Sequence, residues 1–295
     1  MRSRPTLTWS PGPDVLSLAP GTTDVAPVAD VLRDGCVVVL SGAGISTESG
    51  IPDYRGVTGS LRTHTPMTYG DFVGSESGRQ RYWARSHLGW RTIARADPNA
   101  GHRAVATLQA GGYVDGVITQ NVDGLHGAAG ARDVIELHGN LDRVICLDCR
   151  QTTAREELDR RLQAANPAFE GEATRINPDG DVELPEEVVR TFHLVGCTNC
   201  GSRLLKPDVV FFGENVPKPR VERCYRLIDD ARAILVLGSS LTVMSGFRFV
   251  RYAAKAAKPV LIINQGHTRG DLYAAVRVNL PLGEALTSLT DALGR

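Results

Sequence analysis

The sequence predicts an α/β protein with a doubly wound parallel sheet, and three observations support this fold class. Short aliphatic runs, each of the length of one buried strand, recur along the chain. Segments with apolar residues at every third or fourth position separate several of these runs, and Arg103–Ala110 and Val221–Ala231 are the clearest helix candidates. Most runs end in a loop that carries glycine, asparagine or another polar residue, as in a Rossmann-like sheet. The predicted strands are residues 36–41, 114–119, 134–137, 208–212, 233–238 and 259–263.

Composition is that of a globular protein and argues against several functional classes. Hydrophobic residues make up 42% and charged residues 22% of the 295 residues, which excludes a disordered or collagen-like chain. The 33 basic and 33 acidic residues cancel, so no bulk positive charge is available to hold a nucleic-acid backbone. The aliphatic runs are too short to span a membrane, and the first residues lack the apolar segment of a secretory signal. We therefore expect a cytoplasmic protein that binds neither nucleic acid nor membrane.

Two segments interrupt the alternation of strands and helices. Residues 57–100 are rich in aromatic residues and arginine, and they predict a helical insert with a helix over Arg79–Ala94. Residues 140–206 contain two cysteine pairs and a polar stretch rich in proline and glycine, which predicts a smaller separate module. We therefore divide the chain into a flexible tail and one domain with a sheet core: tail 1–24, domain 25–290, and core 25–56, 101–139 and 207–290.

A pair of glycines follows the first predicted strand. A buried strand that opens into Gly-x-Gly is how a doubly wound sheet brings its backbone against a pyrophosphate. A third glycine is absent, and a tight strand-to-helix turn explains the pair equally well. Farther along, Pro52 precedes an acid, an aromatic ring and a guanidinium, at a place suited to the nicotinamide half of a dinucleotide. The candidate residues are Gly42, Ala43, Gly44, Ile45, Ser46, Asp53, Tyr54 and Arg55.

Polar or glycine-rich segments also follow four later predicted strands. Ligands of open α/β sheets bind at the carboxyl ends of strands, so we expect these segments to share one crevice. His138 lies at one of these ends; a lone histidine is more often structural, but this position before a glycine favours catalysis. The convergence predicts a large dinucleotide site, with further candidates Gln120, Asn121, Val122, Asp123, Gly238, Ser239, Ser240, Asn264, Gln265 and Gly266.

Four of the six cysteines form two Cys-x-x-Cys pairs, Cys146 with Cys149 and Cys197 with Cys200. Four thiolates at this spacing are typical of a closed structural zinc site. The alternative, a pair of redox dithiols, is disfavoured because the pairs occur together and neither lies at an obvious strand-to-helix turn. His193 is a competing ligand that two complete thiolate pairs make redundant. We therefore expect one structural Zn²⁺ in a zinc-binding module.

The segment Lys206–Glu214 leaves the cysteine-containing module as an extended apolar run. Its simplest interpretation is a buried strand followed by a turn. Such a segment also offers an edge to which a peptide substrate adds as a strand. The substrate candidates here are Val210, Phe211, Gly213 and Glu214.

The ordered set of motifs resembles the sirtuin family over roughly residues 25–290. The shared motifs are Gly-Ala-Gly-Ile-Ser, Pro-Asp-Tyr-Arg, Thr-Gln-Asn-Val-Asp, Leu-His-Gly, the two cysteine pairs, Phe-Phe-Gly-Glu and Gly-Ser-Ser-Leu. Finer features at Ser46–Gly50, Arg79–Arg85 and Asn177–Val182 resemble the class II branch, and composition favours a bacterial member. The resemblance implies NAD-dependent removal of acyl groups from protein lysines, with transfer of the acyl group to ADP-ribose and release of nicotinamide.

The resemblance also implies roles for individual residues. His138 would act as the general base on the ribose hydroxyls of NAD, and the zinc would take no part in the chemistry. Residues Gly42–Ser46 and Asp53–Arg55 would line the phosphate and nicotinamide pockets. The nicotinamide ribose and carboxamide would contact Gln120, Asn121 and Asp123. The adenosine side would contact Gly238, Ser239, Asn264 and Gly266, with the backbone of Leu282 beside the adenine.

The acyl preference is predicted from one helix face. Tyr82 and Arg85 are three residues apart on the predicted helix and resemble the pair with which sirtuins that remove acidic acyl groups hold a distal carboxylate. The alternative is an amphipathic helix with a packed tyrosine and a solvated arginine. Three other activities also remain open: mono-ADP-ribosyl transfer, a zinc-stabilised dehydrogenase, and a non-catalytic module that scaffolds protein contacts.

Overall fold

The computed structural model describes residues 9–54, 66–169 and 180–294. The aliphatic segments form the strands of two sheets, and amphipathic helices flank these sheets. The strands are β1 Val37–Ser41, β2 Val114–Thr119, β3 Val134–Glu136, β4 Gly139–Cys146, β5 Thr152–Ala154, β6 Leu205–Val209, β7 Ala233–Leu237, β8 Val260–Ile263 and β9 Val276–Val278. The helices are α1 Pro13–Leu16, α2 Ala26–Leu32, α3 Tyr69–Gly74, α4 Glu76–Ala94, α5 Ala100–Ala110, α6 Leu125–Ala128, α7 Arg155–Ala165, α8 Glu186–Arg190, α9 Lys218–Asp230, α10 Met244–Lys255 and α11 Leu282–Ala292.

The large sheet has six parallel strands in the order β3-β2-β1-β7-β8-β9. The chain starts in the middle, builds outward on one side and then crosses to the other side at β7. Strand order therefore reverses between β1 and β7, and this reversal creates a crevice outside the carboxyl ends of the two strands. The prediction of a doubly wound parallel sheet is confirmed.

Continuous aliphatic runs give the central strands two buried faces. Every residue of β1 and of β7 is buried. Val37 and Val39 pack with α2, α5 and α11, whereas Val38 and Leu40 pack on the opposite face with α9 and α10. Side chains alternate between the two faces of a strand, so an unbroken apolar run is what a sheet covered on both faces requires. The buried sheet thus provides a rigid base for the loops at its carboxyl ends.

The second sheet is antiparallel and has the order β5-β4-β6. The predicted strand at 208–212 is wrong in its bounds and in its sheet, because β6 covers Leu205–Val209 and pairs with β4. Val209 and Phe211 pack in the core that includes the helical insert, and Phe212 forms an isolated bridge to Thr68. The boundary that we set between residues 206 and 207 therefore falls within β6.

A buried cation links the helical insert to the second sheet's module. The Arg155 side chain on α7 lies between two indole rings of α4, with its guanidinium carbon 5.1 Å from the Trp83 centroid and 4.6 Å from the Trp90 centroid. Asp159, one turn along α7, accepts from His87 at 2.8 Å and pairs with Arg155 at 3.5 Å. The buried charge is thus paired and stacked, as burial of an arginine requires. The insert and the module therefore share one core.

Part of the segment assigned to the flexible tail packs on the sheet. Residues Pro13–Leu16 form α1, and Thr22 forms a parallel bridge to Val278 of β9. The backbone N–H of Thr22 donates to the Arg277 carbonyl at 2.9 Å, and the Asn279 N–H donates back to Thr22 at 2.8 Å. These bonds cover the open edge of the large sheet. Among the described residues, no helix is both long and apolar enough to cross a membrane.

Candidate functional site

The two glycine-containing loops meet where strand order reverses. The Gly44 N–H donates to the Gly238 carbonyl at 2.9 Å. A Cβ atom added to Gly44 would lie 2.8 Å from that carbonyl oxygen, and one added to Gly42 would lie 2.7 Å from Ser239 Cβ. Gly238 itself has φ +58°, in the left-handed region that favours glycine. The predicted Gly-x-Gly turn is therefore a close backbone contact at the crevice, continued by a 3₁₀ helix over Ala43–Ser49.

A cluster of three predicted residues lies at one side of this contact. Ser46 Oγ donates to Asp123 Oδ2 at 2.7 Å and accepts from Asn121 Nδ2 at 2.9 Å. Asp123 Oδ1 also accepts from the Leu125 N–H at 3.0 Å. Burial raises the pKa of Asp123, and these hydrogen bonds oppose the rise. The three side chains form a polar pocket whose members orient one another.

Two buried histidines, neither of them among the predicted site residues, lie next to this cluster. The Asn99 N–H donates to His102 Nδ1 at 3.4 Å, so in the neutral ring Nε2 carries the hydrogen and faces Ser46 Oγ at 3.5 Å. His126 Nε2 lies 2.8 Å from Ser41 Oγ at the end of β1, and the two imidazole centroids are 5.0 Å apart. Burial lowers the pKa of His102 to about 4 and that of His126 to about 3. Both imidazoles next to the pocket are therefore neutral near pH 7.

A second set of residues surrounds His138. Its Nδ1 contacts the Gln120 carbonyl oxygen at 2.9 Å, and its Nε2 contacts Ser245 Oγ at 2.8 Å. The Gln120 side chain donates to Ser239 Oγ at 2.8 Å. The loop after β2 and the first turn of α10 thus meet at the imidazole, and the loop after β7 contacts the Gln120 side chain. The sequence predicted His138, Gln120 and Ser239, but no sequence signal singled out Ser245.

The environment of His138 keeps its ring neutral. Burial lowers its pKa to about 4; the hydrogen bond to the Gln120 carbonyl opposes this, and the Arg220 and Arg248 guanidiniums add to it. A carbonyl oxygen can only accept, so the Nδ1 of the neutral ring carries the hydrogen. Nε2 is then the basic nitrogen. Near neutral pH this imidazole can accept a proton from a hydroxyl group placed beside Nε2.

The predicted adenosine side lies farther along the sheet edge. Asn264 Nδ2 donates to the carbonyl oxygens of Gln265 and Gly266 at 2.9 and 3.1 Å, which holds this loop in a tight turn. A cavity of about 340 Å³ lies beside Asn264 and Gly266, between the N-terminal segment and β9. Leu282, the first residue of α11, contacts Gly238, because a Cβ at that glycine would lie 2.6 Å from Leu282 Cδ1. The structure thus brings Leu282 to the glycine contact.

The predicted substrate segment follows β6 and runs beside His138. The Val210 N–H donates to the His138 carbonyl at 2.7 Å, and the Phe211 N–H donates to Glu214 Oε2 at 2.9 Å. Glu214 pairs with the buried Lys206 ammonium at 3.1 Å, and this ammonium lies 4.8 Å from the Phe211 ring centroid. Burial lowers the pKa of Lys206, and Glu214 opposes this change. The ion pair holds the turn that contains Gly213, which has φ +82°.

The aromatic side chains near this segment join it to the insert. Tyr82 is buried, and its ring centroid lies 5.2 Å from that of Phe211 and 5.4 Å from that of Phe72. Phe212 meets the Tyr54 ring edge-on at 6.2 Å. Tyr54 and Asp53 are half-buried at the end of a described range. Arg55 lies outside the described residues.

Arg85 lies one turn beyond Tyr82 on α4 and pairs with acidic residues of the chain itself. Its Nε lies 3.4 Å from Asp181 Oδ2, and its Nη2 lies 3.0 Å from Glu183 Oε1. The Arg85 side chain is 12% exposed. The contacts of Tyr82 and Arg85 favour the packed helix face over an open carboxylate site, although Arg85 is paired rather than solvated as that alternative assumed.

The two cysteine pairs adopt the same turn. In the first, the Cys146 N–H donates to the Gln151 carbonyl at 2.9 Å and the Arg150 N–H donates back to Cys146 at 3.0 Å. In the second, the Cys197 N–H donates to the Ser202 carbonyl at 2.8 Å, and the corresponding bond back to Cys197 is 2.9 Å. The residue after each pair, Arg150 or Gly201, has positive φ. Two equivalent turns thus present four sulfurs to one point.

The four sulfur atoms fit one tetrahedral metal ion. Their Sγ atoms lie within 4.8 Å of one another, and the Cys146–Cys200 and Cys149–Cys197 pairs are each 3.6 Å apart. A tetrahedral zinc with Zn–S bonds of about 2.3 Å places its sulfurs roughly 3.8 Å apart. All six cysteines are free thiols. The cysteines are therefore positioned to bind one metal ion, consistent with a structural zinc that has no open coordination position.

Comparisons with known proteins agree with this arrangement. A model of the Sir2 family matches residues 42–245. An NAD-dependent protein deacetylase 1 of Streptomyces coelicolor is 64% identical over 294 residues, which cover 100% of this chain and 97% of the relative. One from Mycobacterium avium is 49% identical over 278 residues, covering 92% and 97%.

Solved structures show the same likeness. A Sir2 structure with a p53 peptide and NAD⁺ has a TM-score of 0.74 at 28% identity, covering 92% of this chain and 99% of that protein. Another Sir2 enzyme has a TM-score of 0.73 at 30% identity, covering 92% and 98%. The assignment to class II within the family stays a prediction. With a family model over most of its length and near-full-length relatives, the chain belongs to the Sir2 family, the sirtuins.

Proposed function

We propose that this protein is an NAD-dependent protein lysine deacylase, which transfers the acyl group from lysine to ADP-ribose and releases nicotinamide. The observation that carries the proposal is His138, a neutral imidazole whose basic Nε2 lies beside the crevice at which the strand order reverses. The relatives named NAD-dependent protein deacetylase support the same activity. A Sir2 structure with NAD⁺ and a p53 peptide supports a peptide substrate, which we propose to be an acylated protein lysine.

The residues around the glycine contact fit a dinucleotide. A Cβ at Gly42 or Gly44 would collide with the loop after β7, so the close contact of the two loops requires glycine at both positions. A pyrophosphate approaches the backbone at this turn in doubly wound sheets. We assign the phosphates to Gly42–Ser46 and the adenosine to the Gly238–Ser240 and Asn264–Gly266 loops with Leu282. When bound, NAD supplies an ADP-ribosyl group that leaves nicotinamide and accepts the acyl group. The protein's task is to hold the acyl-lysine oxygen in line with that sugar, which is a problem of positioning.

The cluster of Ser46, Asn121 and Asp123 suits the nicotinamide carboxamide. An amide presents both a donor and an acceptor, and the cluster offers an amide and a carboxylate linked through one hydroxyl. The Ser46 hydroxyl points its hydrogen at Asp123, since it accepts from Asn121. The pocket is preformed in this way, so binding the carboxamide needs little reorganisation. Asp53, Tyr54, Arg55, Gln120 and Val122 complete the proposed nicotinamide side.

His138 is the proposed general base. Its Nδ1–H donates to the Gln120 carbonyl, so Nε2 is the nitrogen that takes a proton from a ribose hydroxyl, once that hydroxyl replaces the Ser245 hydroxyl that Nε2 contacts in this structure. The lowered pKa keeps the ring neutral near pH 7, so the base is present in its reactive form. The cost is a weaker base, which is acceptable where the hydroxyl is held in place.

The segment after β6 is the proposed docking edge for the substrate peptide. Val210 is bonded to the His138 carbonyl, so a peptide strand laid along Val210–Glu214 passes close to the base. The Lys206–Glu214 ion pair keeps this edge in one conformation. Phe211 joins the edge to the aromatic cluster around Tyr82, which would contact the acyl chain.

The preference for carboxylate-tipped acyl groups is a separate proposal. A distal carboxylate would have to replace Asp181 or Glu183 as the partner of Arg85. Both are held on the same chain, so only a bidentate interaction with the substrate competes with them. We propose a weak deacetylase that prefers acyl groups larger than acetyl, including carboxylate-tipped ones, and we expect the removal of these acidic groups to depend on Arg85.

Zinc and cellular location complete the proposal. The cysteine cluster would hold one Zn²⁺ that stabilises the module and takes no chemical part, because four thiolates close its coordination. A cluster of free thiols is stable in a reducing compartment, which supports a cytoplasmic location. We retain residues 25–290 as the proposed catalytic unit.

The experiment that tests the function is incubation of the zinc-loaded protein with NAD and acyl-lysine peptides. Mass spectrometry should detect nicotinamide and acyl-ADP-ribose in equal amounts. His138→Ala should reduce turnover by about 10²–10⁴-fold and keep NAD affinity within a few-fold, whereas His193→Ala, at an exposed position, should not change turnover. ADP-ribosylated protein without acyl-ADP-ribose would identify a mono-ADP-ribosyltransferase, and NAD left intact would exclude both enzymes.

A further inference from the structure

The first turn of α10 supplies a hydroxyl group to His138. Ser245 is the second residue of this helix, and its Oγ lies 2.8 Å from His138 Nε2. Because Nδ1 donates to the Gln120 carbonyl, Nε2 of the neutral ring can only accept, and the Ser245 hydroxyl must donate. The direction of both hydrogen bonds is thus determined by the carbonyl at the far side of the ring.

We propose that Ser245 is a positioning residue that holds the His138 imidazole with Nε2 as its acceptor nitrogen. A histidine with one hydrogen bond still rotates about χ2, whereas partners on both ring nitrogens fix the plane and the direction of the lone pair. The proposal rests on the proposed function of His138 as the base. Ser245 acts through the base: its hydroxyl holds the Nε2 lone pair in place before NAD binds, and a ribose hydroxyl then replaces it as the donor to Nε2.

The start of α10 is fitted to the loop after β2 as well as to the imidazole. A Cβ atom at Gly246 would lie 2.5 Å from Gln120 Oε1, so the helix backbone packs directly against the Gln120 side chain. The same Gln120 provides the carbonyl that holds His138 Nδ1. Phe247 and Phe249 anchor the helix in the buried core. Ser245 therefore projects from a rigid element, as a residue that orients a base should.

The charges around the ring have the same sign. Arg220 of α9 and Arg248 of α10 both disfavour an imidazolium, and so does the positive end of the α10 dipole. The Ser245 hydroxyl donates to the neutral imidazole, so this hydrogen bond also favours the neutral form of His138 over the imidazolium. Its removal should therefore raise the proton affinity of His138 while the charges and the burial remain.

The experiment compares Ser245→Ala, Ser245→Thr and the wild type with the zinc-loaded protein. The His138 Cε1–H signal, assigned through its absence in His138→Asn, is titrated by NMR from pH 3 to 8 without NAD, a range that includes the wild-type pKa of about 4. We expect Ser245→Ala to raise the pKa of His138 by about 0.5–1 unit, the equivalent of one hydrogen bond. Ser245→Thr, which keeps the hydroxyl, should titrate like the wild type. Ser288→Ala, at an exposed position of α11, is the matched control.

Kinetics provides the second readout. In Ser245→Ala, kcat should fall about 3–10-fold at pH 7, with KM for NAD changed less than two-fold. The acidic limb of the kcat/KM profile, which reports the free enzyme, should move to higher pH together with the His138 pKa. An unchanged or lowered His138 pKa overturns the proposal, as does a loss of unfolding stability with unchanged kinetics. A raised pKa in a protein without deacylase activity would sustain the Ser245 contact and refute the proposed function, so the two failures are distinguishable.

Discussion

Replacing Gly238 by alanine tests the close backbone contact at the reversal of strand order. Gly238 has φ +58°, and a Cβ atom there would lie 2.7 Å from the Ile45 nitrogen and 2.6 Å from Leu282 Cδ1. The left-handed conformation costs a non-glycine residue roughly 1–2 kcal/mol. Forcing a methyl group into a packed site costs roughly 1–3 kcal/mol more. We therefore expect the free energy of unfolding to fall by about 2–5 kcal/mol.

The matched control is Gly112→Ala, because Gly112 has a similar φ of +79° and nothing lies within 4 Å of an added Cβ. This control tests the backbone conformation alone, and its free energy of unfolding should fall by only about 1–2 kcal/mol. The assay is urea unfolding followed by circular dichroism, with NAD affinity measured by calorimetry at a temperature where both variants are folded. Gly238→Ala should also weaken NAD binding, whereas Gly112→Ala should not. Equal losses in the two variants would refute the collision, and unchanged NAD affinity in Gly238→Ala would refute the dinucleotide assignment.

Three further outcomes are expected. Cys197→Ser should abolish the roughly one equivalent of zinc found by elemental analysis together with most soluble protein, since metal binding is coupled to folding; a folded, active, metal-free enzyme would contradict the zinc assignment. Arg85→Met should change the ranking of kcat/KM among acetyl-, lipoyl-, succinyl- and branched glutaryl-lysine peptides, because it should lower kcat/KM only for the peptides with acidic acyl groups. An unchanged ranking favours the packed helix face. Thermal stability should fall between pH 6.5 and 4, because unfolding lets the buried His102, His126 and His138, with pKa values of about 4, 3 and 4, take up protons that the folded state excludes. The raised pKa of the buried Asp123 opposes this fall, and His126→Gln should make stability depend less steeply on pH.

Local patterns were sufficient for the central sheet and for the metal site. An unbroken run of β-branched and aliphatic residues such as Val37–Leu40 is typical of a strand buried on both faces, and five of the six strands predicted from such runs lie in the parallel sheet. The short strand β9 was missed, because Val276–Val278 has only three residues, with Arg277 in the middle. Two Cys-x-x-Cys turns bring sulfur ligands together through their own backbone hydrogen bonds, so their spacing is informative before any tertiary contact is known.

Patterns failed where the partner of a segment is distant in the chain. The run Val209–Phe212 reads as a buried strand, yet its neighbours are β4, α3 and the aromatic cluster of the insert, so β6 belongs to the antiparallel sheet. The pair of Tyr82 and Arg85 shares a helix face in both interpretations, and only the contacts with Phe211 and with Asp181 separate a packed face from an open site.

The sequence by itself determined the fold class, the family, the cysteine cluster and the candidacy of His138, because each depends on residues close together in the chain or on an ordered set of motifs. The tertiary structure alone decided the state of the base. The Gln120 carbonyl lies 18 residues from His138 and the Ser245 hydroxyl 107 residues away. Which ring nitrogen carries the hydrogen, and how far burial lowers the pKa, depends on these distant groups. Hydrogen bonding and desolvation act over a few ångströms of space, and a chain position does not reveal that distance.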